Sequence, residues 1–237
     1  DFCLSRGLGD VYKRQLLAYQ TVLNDPRFLS TFTFSLEMAL LSIIVGLLLI
    51  VPTAFWVHLR LPQLRPVVEL ITLMPFVIPA VVLVLGLIRT YSRPPFMLVS
   101  SPGLLVAGYV VLSLPYMYRA VDTGLRSMDV RRLTEAAQSL GAGWPTILFR
   151  VILPNLRSAL LSGAFLTVAI VIGEFTLASL LAWPAFGPYM AQLGQDRAYE
   201  PAALAIISFG LTWLAMMLIY LLGRGQQAEQ RQIAGAR

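Results

Sequence analysis

The stretch MALLSIIVGLLLIVPTAFWV, residues Met38–Val57, decides the fold class, because it runs for twenty residues without an acidic or basic side chain. About twenty apolar residues of α-helix cross the hydrocarbon core of a bilayer. A helix on a soluble domain would carry a polar face, and this stretch has none. Five further uncharged runs are Leu70–Ile88, Pro94–Tyr118, Ser158–Gly173, Phe175–Gln195 and Pro201–Gly223. The sequence therefore predicts an all-α, multi-pass protein embedded in a lipid bilayer.

The composition excludes several other classes of protein. Only 13% of the 237 residues are charged, about half of what a soluble domain carries. A single cysteine, Cys3, and a single histidine, His58, leave no disulfide framework and no Cys- or His-based metal site. The net charge of +6 comes from arginines that lie between the hydrophobic runs. That placement is typical of topology signals and does not indicate nucleic-acid binding.

Five membrane-spanning helices are predicted in a permease domain over residues 16–222. Their approximate limits are Phe34–Val57, Val67–Ile88, Gly103–Arg119, Leu153–Leu181 and Ala202–Leu222. Pro75 and Pro79 lie four residues apart in the second helix and are expected to kink it, since proline removes a helical hydrogen bond. Residues 223–237 are predicted to form a polar cytoplasmic tail.

The arginines are unevenly divided between the two ends of these helices. One end has eleven: Arg60, Arg65, Arg119, Arg126, Arg131, Arg132, Arg150, Arg157, Arg224, Arg231 and Arg237. The other end has four: Arg27, Arg89, Arg93 and Arg197. By the positive-inside rule the first end is cytoplasmic, which predicts an external N-terminus and a cytoplasmic C-terminus.

Residues Asp1–Gln15 differ in composition from the rest of the chain. They contain the only lysine, Lys13, and the only cysteine, whereas every later cation is an arginine. They also lack the apolar segment of a signal peptide. We expect residues 1–15 to be a non-native tail, and the intact protein to have a sixth, preceding helix.

The polar segment 120–153 carries the clearest functional signal. Asp129 is a good helix cap, and Val130, Leu133, Ala137 and Leu140 then recur at helical spacing. Gly141 is expected to end this helix. The segment is too polar to span a membrane, so we predict a short amphipathic helix on the cytoplasmic side.

The same segment resembles the EAA motif of the MetI-like, binding-protein-dependent permeases of ATP-binding-cassette (ABC) transporters. The matching residues are Glu135-Ala136-Ala137, Gly141 after three residues, and Val151-Ile152-Leu153-Pro154 after nine more. The family prefers isoleucine where Val151 stands. The resemblance implies that Glu135, Ala136, Ala137, Gly141, Leu153 and Pro154 couple the permease to an ATPase subunit.

The resemblance also implies the partners. An importer of this type needs ATPase subunits, a second permease subunit that is identical or related, and an extracytoplasmic binding protein, in a bacterial inner membrane. ATP is expected on the partners, since this chain has no phosphate-binding GxxxxGK[ST] loop. No cofactor or metal site, and no enzymatic activity, is expected of the chain itself.

The sequence leaves the transport pathway and the substrate open. Glu174 is an acid inside an apolar run, so it is either a pathway residue or a hydrogen-bonded structural acid. Pro75 and Pro79 either shape a gate or form a static kink. Gly173-Glu174-Phe175 and Pro188-Tyr189-Met190 resemble segments of polyamine, iron(III) or thiamine permeases, with polyamine preferred. The alternative function is a secondary transporter or channel that works without an ATPase.

Overall fold

The computed structural model describes residues 17–95, 97–197, 199–214 and 217, and this part of the chain contains helices and no strands. The elements are α1 (17–24), α2 (Pro26–Arg60), α3 (Arg65–Val77), α4 (Ala80–Tyr91), α5 (Pro102–Arg126), α6 (Val130–Ser139), α7 (Trp144–Asn155), α8 (Arg157–Gly173), α9 (Thr176–Leu180), α10 (Phe186–Asp196) and α11 (Glu200–Leu214). A 3₁₀ turn, Pro62–Leu64, precedes α3. The predicted all-α class is confirmed.

The first predicted span is confirmed as α2, which extends beyond Phe34–Val57 at both ends. Asp25 caps it by accepting the N–H of Arg27 at 2.9 Å, and Pro26 occupies the first turn. At 35 residues the helix is about 52 Å long, so it projects out of a hydrocarbon core of about 30 Å.

The second predicted span is two helices instead of one kinked helix. α3 and α4 meet at 98°. Ile78 is extended because the residue before a proline avoids the helical region, and Pro79 then caps α4. Pro75 stays inside α3. Of the two prolines, only Pro79 lies at the bend.

The third and fourth spans also differ from the prediction. α5 continues to Arg126, so the first two turns of segment 120–153 belong to this long helix. The predicted helix Leu153–Leu181 is divided: α7 and α8 meet at 76° around Leu156, and α8 ends at Gly173. Among the described helices, α2 and α5 are each long and apolar enough to cross a membrane alone. The bent pairs α3–α4 and α7–α8 are two further candidate spans.

The end regions reach beyond the described residues. α11 is a shorter apolar helix over Glu200–Leu214, and the predicted continuation to Leu222 lies outside the part of the chain that the structure describes. The same holds for the expected tails 1–15 and 223–237.

α5 is the centre of the molecule and packs against α2, α3 and α8. The contact with α8 is close: a Cβ on Gly124 would lie 2.7 Å from the Cβ of Ala159. A cluster that we call the base cluster joins these helices to α6 and α7 through Ile50, Val51, Ala54, Phe55, Met117, Tyr118, Val121, Leu125, Val130, Ala137, Ile147, Ile152 and Leu156. The apolar side chains of α3 and α4 are mostly exposed, as a surface in contact with lipid would be.

Candidate functional site

The amphipathic helix predicted after Asp129 is present as α6. The Asp129 carboxylate accepts the N–H of Arg132 at 3.1 Å and so caps the helix. At the other end Gly141 donates to the Gln138 carbonyl at 2.9 Å, and Ala142 donates to the Ala137 carbonyl at 3.0 Å. This pair of hydrogen bonds is a Schellman motif, whose turning residue is left-handed. Gly141 has φ +81°, which explains the glycine at this position.

One face of α6 is anchored to the rest of the molecule. Val130, Thr134 and Ala137 are buried, and the two apolar members belong to the base cluster. The Thr134 hydroxyl donates to the Val130 carbonyl at 2.7 Å, so the buried face leaves no polar group unpaired there. Of the three EAA residues, therefore, Ala137 packs inward.

The opposite face of α6 is open. The Glu135 side chain is 61% exposed and forms only a surface ion pair with Arg131, at 3.0 Å. Ala136 is exposed, and a Cβ on Gly141 would meet no atom within 4 Å. Leu140 is 88% exposed, so its predicted place in the apolar stripe is wrong. The helix ends at Ser139, and the Leu140 backbone already leaves helical geometry.

Leu153 and Pro154 lie at the bend between α7 and α8. Both are partly buried, and Leu153 packs against the base cluster. The preceding residues Ile147–Ile152 form a π-helical segment that packs against α6, and such segments are frequent at functional sites. The motif residues are thus divided between a surface and a bend.

A buried carboxylate that the sequence analysis did not single out lies beneath this region. Asp122 on α5 accepts from Arg65 at 3.2 and 2.9 Å in a two-pronged contact, and Arg126 lies 2.9 Å away. Its side chain is only 9% exposed. Arg65 opens α3, so the contact joins α3 to α5. The i, i+4 spacing to Arg126 was the one sequence signal for Asp122.

His58, near the end of α2, completes this cluster. Its Nδ1 lies 3.0 Å from the Ala54 carbonyl, and its Nε2 lies 3.5 Å from Asp122 Oδ1. The cluster therefore ties the cytoplasmic end of α2, as assigned by the arginine count, to α3 and α5. The two arginines supply the positive charges that contact the buried carboxylate.

Glu174 lies in the break after α8 rather than within a helix. Its carboxylate accepts the N–H of Leu177 at 2.9 and 3.0 Å and that of Ala178 at 3.2 Å. These bonds cap α9. The Glu174 carbonyl is also in close contact with the backbone at Gly187, where α10 begins. The Glu174 carboxylate is thus engaged with the first turn of α9.

The opposite end of α2 is fixed to α10. Tyr189 donates its hydroxyl to Asp25 Oδ2 at 3.0 Å, and Arg27 lies 3.0 Å from the same oxygen. The hydrogen bond from Arg27 is the main cause that lowers the pKa of Asp25 below its ordinary value. Burial, followed by the bond to Asp25, raises the pKa of Tyr189 to about 12.

Comparison with known proteins agrees with this geometry. Residues 46–225 match the family model of the binding-protein-dependent transport system inner membrane component. The spermidine/putrescine transport system permease protein PotB of Haemophilus influenzae is 26% identical over 90% of this chain and 80% of its own length. A probable molybdenum ABC transporter permease protein of Haloferax volcanii is 30% identical, over 90% and 82%.

Two further similarities complete the comparison. The molybdate/tungstate transport system permease protein WtpB of Pyrococcus furiosus is 28% identical over 90% of this chain and 86% of its own length. A solved structure of an amino acid ABC transporter with histidines has the same fold, with a TM-score of 0.61 and 20% identity over 86% of this chain and 96% of that one.

Proposed function

Because this chain belongs to the family of binding-protein-dependent transport system inner membrane components, we propose that the open face of α6 is the surface on which an ATPase subunit docks. The chain is a multi-pass inner-membrane permease subunit of an ABC transporter for a small solute, and not an enzyme. Its family implies ATPase and substrate-binding-protein partners. ATP binds to the ATPase subunits, and the chain itself needs no cofactor.

The observation that carries this proposal is the contrast between the two faces of α6. The inner face is packed into the base cluster, whereas Glu135, Ala136 and Leu140 are exposed and a side chain at Gly141 would meet no atom within 4 Å. Leu140 is 88% exposed and is therefore available to a partner that binds this face. The cleft of an ATPase subunit is the partner that the family implies.

The proposed cycle follows from how α6 is attached. Two ATPase subunits close on ATP and displace α6 on each of two permease subunits, this chain and a second, identical or related one. The base cluster passes the displacement to the bend at Leu153 and Pro154, and so to α8. The complex then alternates between states with different affinity for solute. We place the C-terminus in the cytoplasm, as the arginine distribution requires.

The solute remains a small molecule of a class still to be assigned. The sequence favoured a polyamine, with iron(III) and thiamine as other candidates, while the relatives carry names for polyamine and for molybdate or tungstate. Glu174 is fully engaged in capping α9, so we propose a structural role for it. Pro79 at the 98° bend is the better gate candidate of the two prolines.

The test is co-purification of the tagged chain with its operon partners from membranes. Glu135→Arg reverses the charge of Glu135 on the open face, and Gly141→Asp adds a charged side chain at its end, at a left-handed position (φ +81°) that also strains the backbone. We expect both variants to insert normally and to lose the ATPase subunit and ATP-dependent uptake. Arg150→Glu is the matched control, since Arg150 is exposed on α7 outside this face.

Two results would contradict the proposal. Normal uptake by both α6 variants would remove the docking role from this face. A chain that purifies alone and moves solute without ATP would make it a secondary transporter or channel instead.

A further inference from the structure

A groove of about 510 Å³ lies between α5 and α8. It is lined by Tyr116, Arg119, Ala120, Thr123, Gly124, Ser127, Ser158, Ala159, Ser162 and Leu166. Six of these ten side chains are polar. In an otherwise apolar pair of helices, that concentration requires an explanation.

The groove follows the two helices from their cytoplasmic ends inward. α5 and α8 are antiparallel here, so each step of four residues back along α5 matches a step of four forward along α8. The approaches of Gly124 to Ala159 and of Gly163 to Ala120 show this register, which puts Thr123 near the level of Ser162 and Arg119 near that of Leu166. Arg119 is eight residues from Ser127 and therefore about 12 Å deeper.

One hydroxyl of the groove, that of Ser127, donates to the Gly124 carbonyl at 2.8 Å, whereas three others are exposed and have no partner in the described part of the chain. The hydroxyls of Thr123, Ser158 and Ser162 donate to no described residue, and Arg119 has no acidic partner there. Buried hydroxyls on the same helices behave differently, because Ser113 donates to the Val110 carbonyl at 3.0 Å and Thr167 to the Gly163 carbonyl at 2.9 Å.

Unpaired polar groups at this depth do not suit contact with lipid. Each one in hydrocarbon costs several kcal/mol, and an arginine costs more unless it faces a water-filled cavity. The groove is therefore better explained as one wall of an aqueous path. A second permease subunit would supply the opposite wall.

The charge of the groove selects between solute classes. Arg119 is the one charged residue among those that line it. The nearest acid along α5, Asp122, is already held by Arg65 and Arg126, so it cannot attract a cation. A guanidinium with neighbouring hydroxyls binds the oxygens of an oxyanion well, whereas it repels a polyamine.

We propose that this groove is the inner half of the translocation pathway and that the transported solute is a small oxyanion, with Arg119 as its recognition residue. The proposal rests on the permease function and replaces the preference for a polyamine. The competing explanation is that Arg119 serves only as a topology signal, like the arginines outside the groove.

The first experiment measures the electrostatic potential of the groove without knowledge of the solute. In the assembled complex, Ser162→Cys is introduced on a Cys3→Ser background, which removes the chain's native thiol. The thiol is modified with an anionic and with a cationic methanethiosulfonate reagent, and the ratio of the two rates is compared with that of a free thiol. We expect Arg119→Gln to lower the anionic-to-cationic ratio about fivefold, and Arg119→Lys to preserve it.

Arg150→Gln is the control for this measurement, since it removes one cytoplasmic arginine outside the groove. It should leave the ratio unchanged. If Arg119→Gln and Arg150→Gln have equal effects, Arg119 contributes only to the general charge of that side, and the proposal is overturned.

The second experiment measures uptake by the reconstituted complex, with molybdate, tungstate, sulfate and spermidine as probes. We expect ATP-dependent uptake of at least one oxyanion, reduced fivefold or more by Arg119→Gln and restored by Arg119→Lys. Uptake of spermidine alone, or of none of the three oxyanions, overturns the oxyanion assignment while the permease function stands. Failure of the ATPase to co-purify instead refutes the permease proposal itself.

Discussion

Replacing Asp122 by asparagine removes the one buried charge that ties α3 to α5. The amide keeps the shape of the carboxylate but loses the charge that holds Arg65, which contacts it at 2.9 and 3.2 Å. Breaking a buried pair costs about 3–5 kcal/mol, whereas an exposed pair contributes about 0–1 kcal/mol. The Asp122 side chain is 9% exposed, while those of Arg65 and Arg126 are 28% and 53% exposed, so the pair lies between these limits.

We therefore expect Asp122→Asn to lower the free energy of unfolding by about 2–4 kcal/mol. For a chain of this size, each kcal/mol moves the melting temperature by about 2–4 °C, which gives a fall of roughly 4–16 °C. The assay is intrinsic tryptophan fluorescence during heating of the purified complex in detergent. Asp129→Asn is the matched control, because Asp129 is 54% exposed and pairs only with a surface arginine, and asparagine caps a helix as well as aspartate does.

The result that refutes this reasoning is specific. If Asp122→Asn melts within 2 °C of Asp129→Asn, the buried cluster does not stabilise the fold. A double-mutant cycle with Arg65→Gln then separates the pair from its surroundings. Partners in contact must give non-additive changes, so strict additivity would show that Arg65 does not depend on Asp122.

Two further predictions concern the other side of the molecule. Gly187→Ala should destabilise the protein by about 1–3 kcal/mol, because the added Cβ would collide with the backbone carbonyl of Glu174. The control is Gly86→Ala in α4, whose Cβ would meet nothing within 4 Å. It should be neutral or slightly stabilising in the same melting assay. Asp25→Asn should lower the melting temperature at pH 7, and by less at pH 3. Arg27 lowers the pKa of Asp25 in the folded protein. The carboxylate therefore stabilises the fold at pH values above the ordinary pKa of an aspartate, and this stabilisation is lost as pH falls through the folded pKa. An equal difference in melting temperature at both pH values would contradict this.

The membrane class and the position of α6 could be predicted because both rest on local signals. A run of twenty uncharged, apolar residues predicts a membrane-spanning α-helix. A capping aspartate and a glycine twelve residues later predict where a short helix begins and ends. The bends could be predicted only in part. Pro75 and Pro79 look equivalent in the sequence. The helix breaks only at Pro79, where the preceding residue, Ile78, has an extended backbone.

Asp122 and the groove could not be predicted because they depend on which helices meet. Arg65 lies 57 positions from Asp122, and nothing local marks the pair. Ser158 and Ser162 are ordinary serines in an apolar helix until α5 brings Thr123 and Arg119 beside them. The prediction that Leu140 belongs to the apolar stripe of α6 was wrong for a local reason. Its spacing is helical, but the helix ends one residue earlier, at Ser139.

Because of the way α6 is attached, we expect its displacement to reach two bends, the one before α8 and the one after α3. Its buried residues Val130 and Ala137 share the base cluster with Ile152 and Leu156, and Leu156 lies at the 76° bend before α8. Because closely packed interiors transmit strain, α6 cannot move far without carrying this bend. The same cluster includes Leu125 on α5, one turn from the Asp122 contact to α3, and α3 ends at the 98° bend. Since α5 and α8 both line the groove, we expect a displacement of α6 to change its width.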